Sequence, residues 1–82
     1  MKDFHYVYIL SSAVDATRHY TGLTDNLEAR LKAHNSGQVP HSSKYRPWKI
    51  ETTIAFRSRT KAAAFEKYLK SHSGRAFASK HF

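Results

Sequence analysis

The absence of cysteine from a chain of 82 residues constrains its folding most. No disulfide and no thiolate metal site can stabilise the fold, so its order must come from one modest hydrophobic core. A core of that size serves a single domain, expected to span residues 1–82, and excludes a large multi-domain enzyme. Apolar residues make up 40% of the chain, enough for a globule, and no apolar run approaches the roughly 20 residues needed to cross a bilayer. The opening Met1-Lys2-Asp3-Phe4 lacks the apolar segment and small-residue cleavage site of an export signal. The expected compartment is the cytoplasm.

Periodicity predicts how that core is built. Phe4 to Leu10 is aromatic and β-branched with apolar residues on both alternating faces, which predicts a strand covered on both sides. Arg18 to Leu23 reads as a second strand, antiparallel to the first across a long connection, which places Tyr8 near Tyr20. Capping side chains at Thr24-Asp25-Asn26, with Glu28 placed to complete a capping box on Asp25, start a helix from about Asp25 to Ser36, closed by Gly37. Gln38 to Pro47 reads as a loop. Trp48 to Phe56 alternates, with Trp48, Ile50, Ile54 and Phe56 on one face, and predicts a third, half-buried strand. A second helix runs from Lys61 to about His72, with Ser58 or Thr60 as cap and Gly74 marking its end, and the tail forms a further short helical piece. The order ββαβα with a short C-terminal helical segment gives an α+β domain, a three-stranded antiparallel sheet flanked by helices.

Fourteen Lys and Arg against six Asp and Glu leave a net charge of +8, and such a field selects polyanions. Nucleic acid heads the list. An anionic membrane would call for a basic amphipathic helix with large apolar side chains opposite, which the chain lacks. Cations alternate with aromatics in Lys44-Tyr-Arg-Pro-Trp-Lys49 and in the tail with Arg75, Lys80 and His81. Lys44, Arg46, Lys49, Arg75 and Lys80 are therefore the expected phosphate contacts, and exposed rings could stack on unpaired bases. Trp48 and Phe77 are expected in the core.

Helical phase singles out three polar residues. With a period of about 3.6 residues, Arg30 and His34 stack on one flank of the stripe made by Leu27 and Leu31. In the second helix Glu66 lies beside the stripe of Ala62, Phe65 and Leu69. Two readings stay open for each: Arg30 snorkelling over the core edge and His34 satisfied at its rim, Glu66 in an ordinary i,i+4 salt bridge with Lys70, or all three turned toward a common site.

In their order along the chain these residues resemble a known family. Tyr6-Val-Tyr8 in a first strand, eleven intervening residues and then Tyr20-Thr-Gly22 in a second resemble the paired signature of the GIY-YIG nucleases. Asn26-Leu-Glu-Ala-Arg30-Leu-Lys-Ala-His34 and Phe65-Glu66-Lys-Tyr-Leu-Lys resemble the two helices that follow it. The likeness runs from Phe4 to about Gly74 and is to the small single-domain bacterial members, which resemble the N-terminal nuclease domain of the excinuclease incision subunit. Tyr6 stands in place of the name-giving glycine and Thr21 in place of the isoleucine. Many members carry an asparagine downstream of the metal-binding helix; here the asparagines are Asn26 and Asn35, and Ser71, Ser73, Arg75 and Lys80 are candidates for its place.

The resemblance implies a metal-dependent endonuclease with Tyr8, Tyr20, Arg30, His34 and Glu66 gathered at the scissile phosphate. Glu66 is the implied ligand of a magnesium or manganese ion, and hard oxygen donors suit both ions. Arg30 and the metal would offset the charge that gathers in a phosphodiester transition state. Tyr8 is the expected general base, Tyr20 orients water or phosphate, and His34 donates to a phosphate oxygen or transfers a proton. A phenol of ordinary pKa is a weak base at neutral pH unless nearby positive charge favours its phenolate. The expected substrate is DNA, or else RNA, recognised by structure or with weak sequence preference, in a process such as DNA repair. The alternative is a non-catalytic nucleic-acid-binding or repair-partner docking module on the same scaffold.

Overall fold

A computed structural model describes residues 3–82. Three strands, β1 (His5–Ser12), β2 (His19–Thr24) and β3 (Trp48–Phe56), form one sheet in the order β2-β1-β3, with both pairings antiparallel. Helices α1 (Leu27–Asn35), α2 (Arg59–Lys70) and α3 (His72–His81) complete it, with a 3-10 turn at Ser43–Tyr45. The strand that reads as apolar on both faces is the central one, and Val7, Tyr8, Ile9 and Leu10 are all buried. Among the described residues no helix is long and apolar enough to cross a membrane.

Strand alternation divides the core between the two faces of the sheet. Val7 and Ile9 pack with Ala62 and Leu69 of α2, joined by Phe56, Phe65 and Phe77. Tyr8 and Leu10 pack on the opposite side with Trp48, joined by Tyr20, Leu27 and Leu31. Trp48 and Phe56 thus serve different faces, although uninterrupted alternation along β3 would put them on the same one. The reason is a bulge: Ile9 pairs with Thr52 but Leu10 with Ile50, leaving Glu51 as the extra residue. One inserted residue reverses the facing of everything beyond it.

Two other expectations shift. Asn26, and not Asp25, caps α1, its side chain accepting from the Ala29 backbone N–H at 3.1 Å. Ser58 caps α2 as expected, but that helix stops before Gly74. Ser71 intervenes, its hydroxyl accepting from the Gly74 N–H at 3.1 Å to start α3. Gly74 is buried inside α3, where a Cβ would stand 1.7 Å from the Tyr68 carbonyl oxygen. Glycine is there for close approach of the two helices, not to end one. Gly37 does close α1, with φ of 82°, as a left-handed cap requires.

Candidate active site around Tyr8 and His34

The centre of the site follows from how β1, β2 and α1 meet. Tyr8 lies opposite Gly22 on β2, and a Cβ at Gly22 would stand 2.3 Å from the Tyr8 hydroxyl. Glycine is what lets the phenol lie flat across the neighbouring strand. Tyr20, opposite Leu10, stacks against Tyr8 with ring centroids 6.4 Å apart. Helix α1 is held over this face by Leu27 and Leu31, and at its end by Asn35, whose side-chain amide donates to the Trp48 carbonyl at 3.0 Å.

The helix delivers His34 fully buried, at 0% exposure, deeper than a rim position. Its Nε2 lies 3.0 Å from the Tyr8 hydroxyl, and its Nδ1 lies 2.6 Å from Ser42 Oγ. The Tyr20 ring meets its edge with centroids 4.5 Å apart. Arg30, one turn earlier, is exposed. Burial disfavours the charged form of both central groups. Desolvation pushes the Tyr8 phenol up to about 12, against the opposing field of Arg30 and with smaller upward contributions from Tyr20 and Glu66. Desolvation, reinforced by the Arg30 charge, lowers the pKa of His34. Arg30 does favour a Tyr8 phenolate, yet burial outweighs it, so at neutral pH a neutral phenol faces a neutral imidazole.

Glu66 approaches from α2, close enough for its charge to act on Tyr8. Its carboxylate is paired with Lys70 Nζ at 2.8 Å, the i,i+4 bridge that helical spacing allows. Among the described residues no three His, Cys, Asp or Glu side chains gather to hold a metal ion. One carboxylate nevertheless fits a hard divalent cation whose other positions go to water and phosphate oxygens, provided that Lys70 yields its place.

A cleft of about 930 Å³ adjoins this centre, lined by Tyr20, Lys70, Arg18 and Arg75 among others. Tyr8, Arg30 and His34 are not in its wall, so it lies beside the site. Of the expected phosphate contacts, Arg75 lines it. Lys44 sits on the 3-10 turn with its ammonium 5.6 Å from the centre of the Tyr45 ring, and Arg46 packs against Gly37. Lys49 is exposed opposite Ser11, and Lys80 is exposed in the last turn of α3. Two groups escaped sequence reasoning: Ser42, inside a stretch that reads only as loop, and Arg18, whose guanidinium lies over the Tyr45 ring at 4.7 Å. No spacing signal marked either residue.

Paired tyrosines on neighbouring antiparallel strands, an Arg/His helix over them and a glutamate on the next helix define a domain of the GIY-YIG nuclease superfamily. The chain belongs to this family: the GIY-YIG catalytic domain profile matches residues 4–80. Within it, the chain is similar to UPF0213 proteins. It is 32% identical over 74 residues to one from Haloquadratum walsbyi, covering 89% of this chain and 81% of that protein. It is 39% identical over 67 residues to one from Clostridium perfringens, covering 80% and 70%. The solution NMR structure of a UPF0213 protein from Bacillus halodurans matches with a TM-score of 0.56 and 30% identity, covering 94% of this chain and 83% of that one.

Proposed function

We propose that this chain is an endonuclease that hydrolyses phosphodiester bonds in DNA, with Tyr8, Tyr20, Arg30, His34 and Glu66 as its catalytic residues. One observation carries the reading: the Tyr8 hydroxyl is hydrogen-bonded to the buried His34 at 3.0 Å. A phenol with a raised pKa does not rest as phenolate, so it serves as a base only if it releases its own proton as it takes another. The hydrogen bond supplies the outlet. As water attacks phosphorus, its proton passes to the Tyr8 oxygen and the Tyr8 proton passes to His34. A new P–O bond forms, the bond to the leaving oxygen breaks, and that oxygen takes a proton from solvent.

Tyr20, stacked on Tyr8 and open to the neighbouring cleft, orients the water or phosphate. Arg30 is exposed and acts on the phosphate, whose oxygens gain charge in the transition state. Glu66 would hold a magnesium or manganese ion, which supplies further neutralisation of that charge when bound. Lys70, Arg75 and Arg18 in the adjoining cleft give the strand's phosphates a cationic path, and Lys44, Arg46, Lys49 and Lys80 extend it. With so little surface for base readout, recognition is by structure or with weak sequence preference.

A second reading, a binding module without turnover, is favoured by one contact, the Lys70 ammonium on the Glu66 carboxylate. Cleavage assays on single-stranded, duplex and branched DNA and on RNA, with and without Mg²⁺ or Mn²⁺, separate the two. Metal-dependent cutting by wild type that is lost in Arg30→Ala and Glu66→Ala, with binding by Glu66→Ala largely retained, is the expected result. Binding without cutting by wild type establishes the module instead.

A further inference from the structure

Ser42, the partner of His34 Nδ1, has no part in the proton path proposed above, yet it is among the most buried side chains, at 1% exposure. Its backbone N–H donates to the Val39 carbonyl at 3.1 Å, and its own carbonyl accepts from the Trp48 indole at 2.8 Å. The residue is thus fixed between the end of α1 and the start of β3. Its hydroxyl touches two groups: the Val39 carbonyl oxygen at 3.2 Å and His34 Nδ1 at 2.6 Å. Together with the Tyr8 hydroxyl on Nε2, this makes a line of four groups, buried at Tyr8, His34 and Ser42 and ending on the half-buried Val39.

Counting protons along the line decides its direction. A neutral imidazole carries one proton, on either nitrogen. With the proton on Nδ1, that N–H donates to Ser42 Oγ, the Ser42 hydroxyl donates to the Val39 carbonyl, and the Tyr8 hydroxyl donates to Nε2. Every proton has an acceptor. With the proton on Nε2, that N–H donates to the Tyr8 oxygen and Ser42 donates to Nδ1. The Tyr8 proton is then left without a protein acceptor among the described residues, in a side chain only 3% exposed, and buried hydroxyls without partners are costly. The carbonyl lacks any proton to give and so acts as the stop that sets the sense of the whole line.

We infer that Ser42 is a positioning residue whose hydroxyl, directed by the Val39 carbonyl, holds His34 as the Nδ1–H tautomer and leaves Nε2 open to the Tyr8 phenol. The opposite tautomer would put a proton where the base must accept one. Its consequence for turnover rests on the nuclease reading above; the tautomer itself does not.

The test is ¹⁵N-resolved NMR of the imidazoles in the full chain at neutral pH, with the His34 signals identified by their loss in His34→Gln. Wild type is expected to show Nδ1 protonated and Nε2 unprotonated, Ser42→Ala to lose that preference, and Ser42→Thr to restore it. Nε2–H in wild type overturns the inference, as does an unchanged tautomer in Ser42→Ala. Should Ser42→Ala fail to fold, the wild-type spectrum decides alone. In cleavage assays Ser42→Ala is expected to lower kcat on the order of 100-fold, the lower end of what a positioned proton-transfer group contributes, with KM unchanged and Ser42→Thr recovering most of it. Absence of cutting by wild type removes the nuclease reading while the spectra still decide the role of Ser42.

Discussion

Tyr8 and His34 are opposite cases of one effect, since burial keeps both neutral by moving an acid up and a base down. Each leaves a signature in stability against pH. The Tyr8 phenol titrates near 10 when unfolded and near 12 when folded, so stability is whole below pH 10 and is lost as pH rises through the interval. The loss is on the order of 2 kcal/mol. In an alkaline titration followed by phenolate absorbance, Tyr8→Phe should remove the late-titrating phenol and flatten the loss of stability over that interval. For His34 the folded pKa lies below the unfolded 6.5, so the unfolded chain binds the extra proton. Its contribution is complete above pH 6.5 and declines as pH falls through the folded value. Urea denaturation at pH 7.5 and 5.5 should show wild type losing more stability on acidification than His34→Gln does. Equal slopes for the two proteins would mean that His34 is not held neutral by burial.

At the scale of elements, α2 and α3 meet at an angle that only Gly74 permits, because the atoms a Cβ would strike belong to the backbone of Tyr68 and Leu69. Backbone cannot rotate aside as a side chain can. Gly74→Ala should therefore destabilise the fold by about 2 kcal/mol or more, seen as a lower urea midpoint, and the loss should exceed that of Ala76→Gly on exposed α3 surface. This glycine also shows where sequence reading stops. Apolar spacing located all three strands and both main helices, because alternation and the helical period follow directly from which faces are buried. The role of Gly74 depends on which chain segment approaches it, which local sequence does not encode, so spacing alone marks it as a helix stop where packing makes it a point of helix contact. The Glu51 bulge is likewise a fact of pairing between β1 and β3 rather than of β3 alone. In the candidate site, helical phase singles out Arg30, His34 and Glu66 because it sets them beside the apolar stripes of their helices. Ser42 is not singled out, since its meaning comes from Nδ1 of a residue on another element.

At the scale of the whole molecule, the net charge of +8 makes electrostatics the dominant contribution to affinity for a polyanion, and places the test of the nucleic-acid reading in salt dependence. Each phosphate neutralised releases counterions, so log K falls linearly with log salt by about 0.9 per contact on duplex DNA and about 0.7 on single strands. Removing one cation that touches phosphate should reduce the slope by about that amount, whatever the sequence of the DNA. Arg75, in the cleft beside Tyr20, is expected to behave so: Arg75→Ala should bind more weakly at low salt and converge with wild type as salt rises. Glu66→Gln is the opposing case, because loss of a carboxylate beside the cationic path frees Lys70 from its 2.8 Å partner and should strengthen binding at low salt even as cutting is lost. Fluorescence anisotropy of labelled duplex and single-stranded oligonucleotides across a salt series measures both. A slope shared by wild type and Arg75→Ala would exclude this cleft from the strand's path, and a flat response in wild type would exclude a phosphate backbone as the partner of this charge altogether.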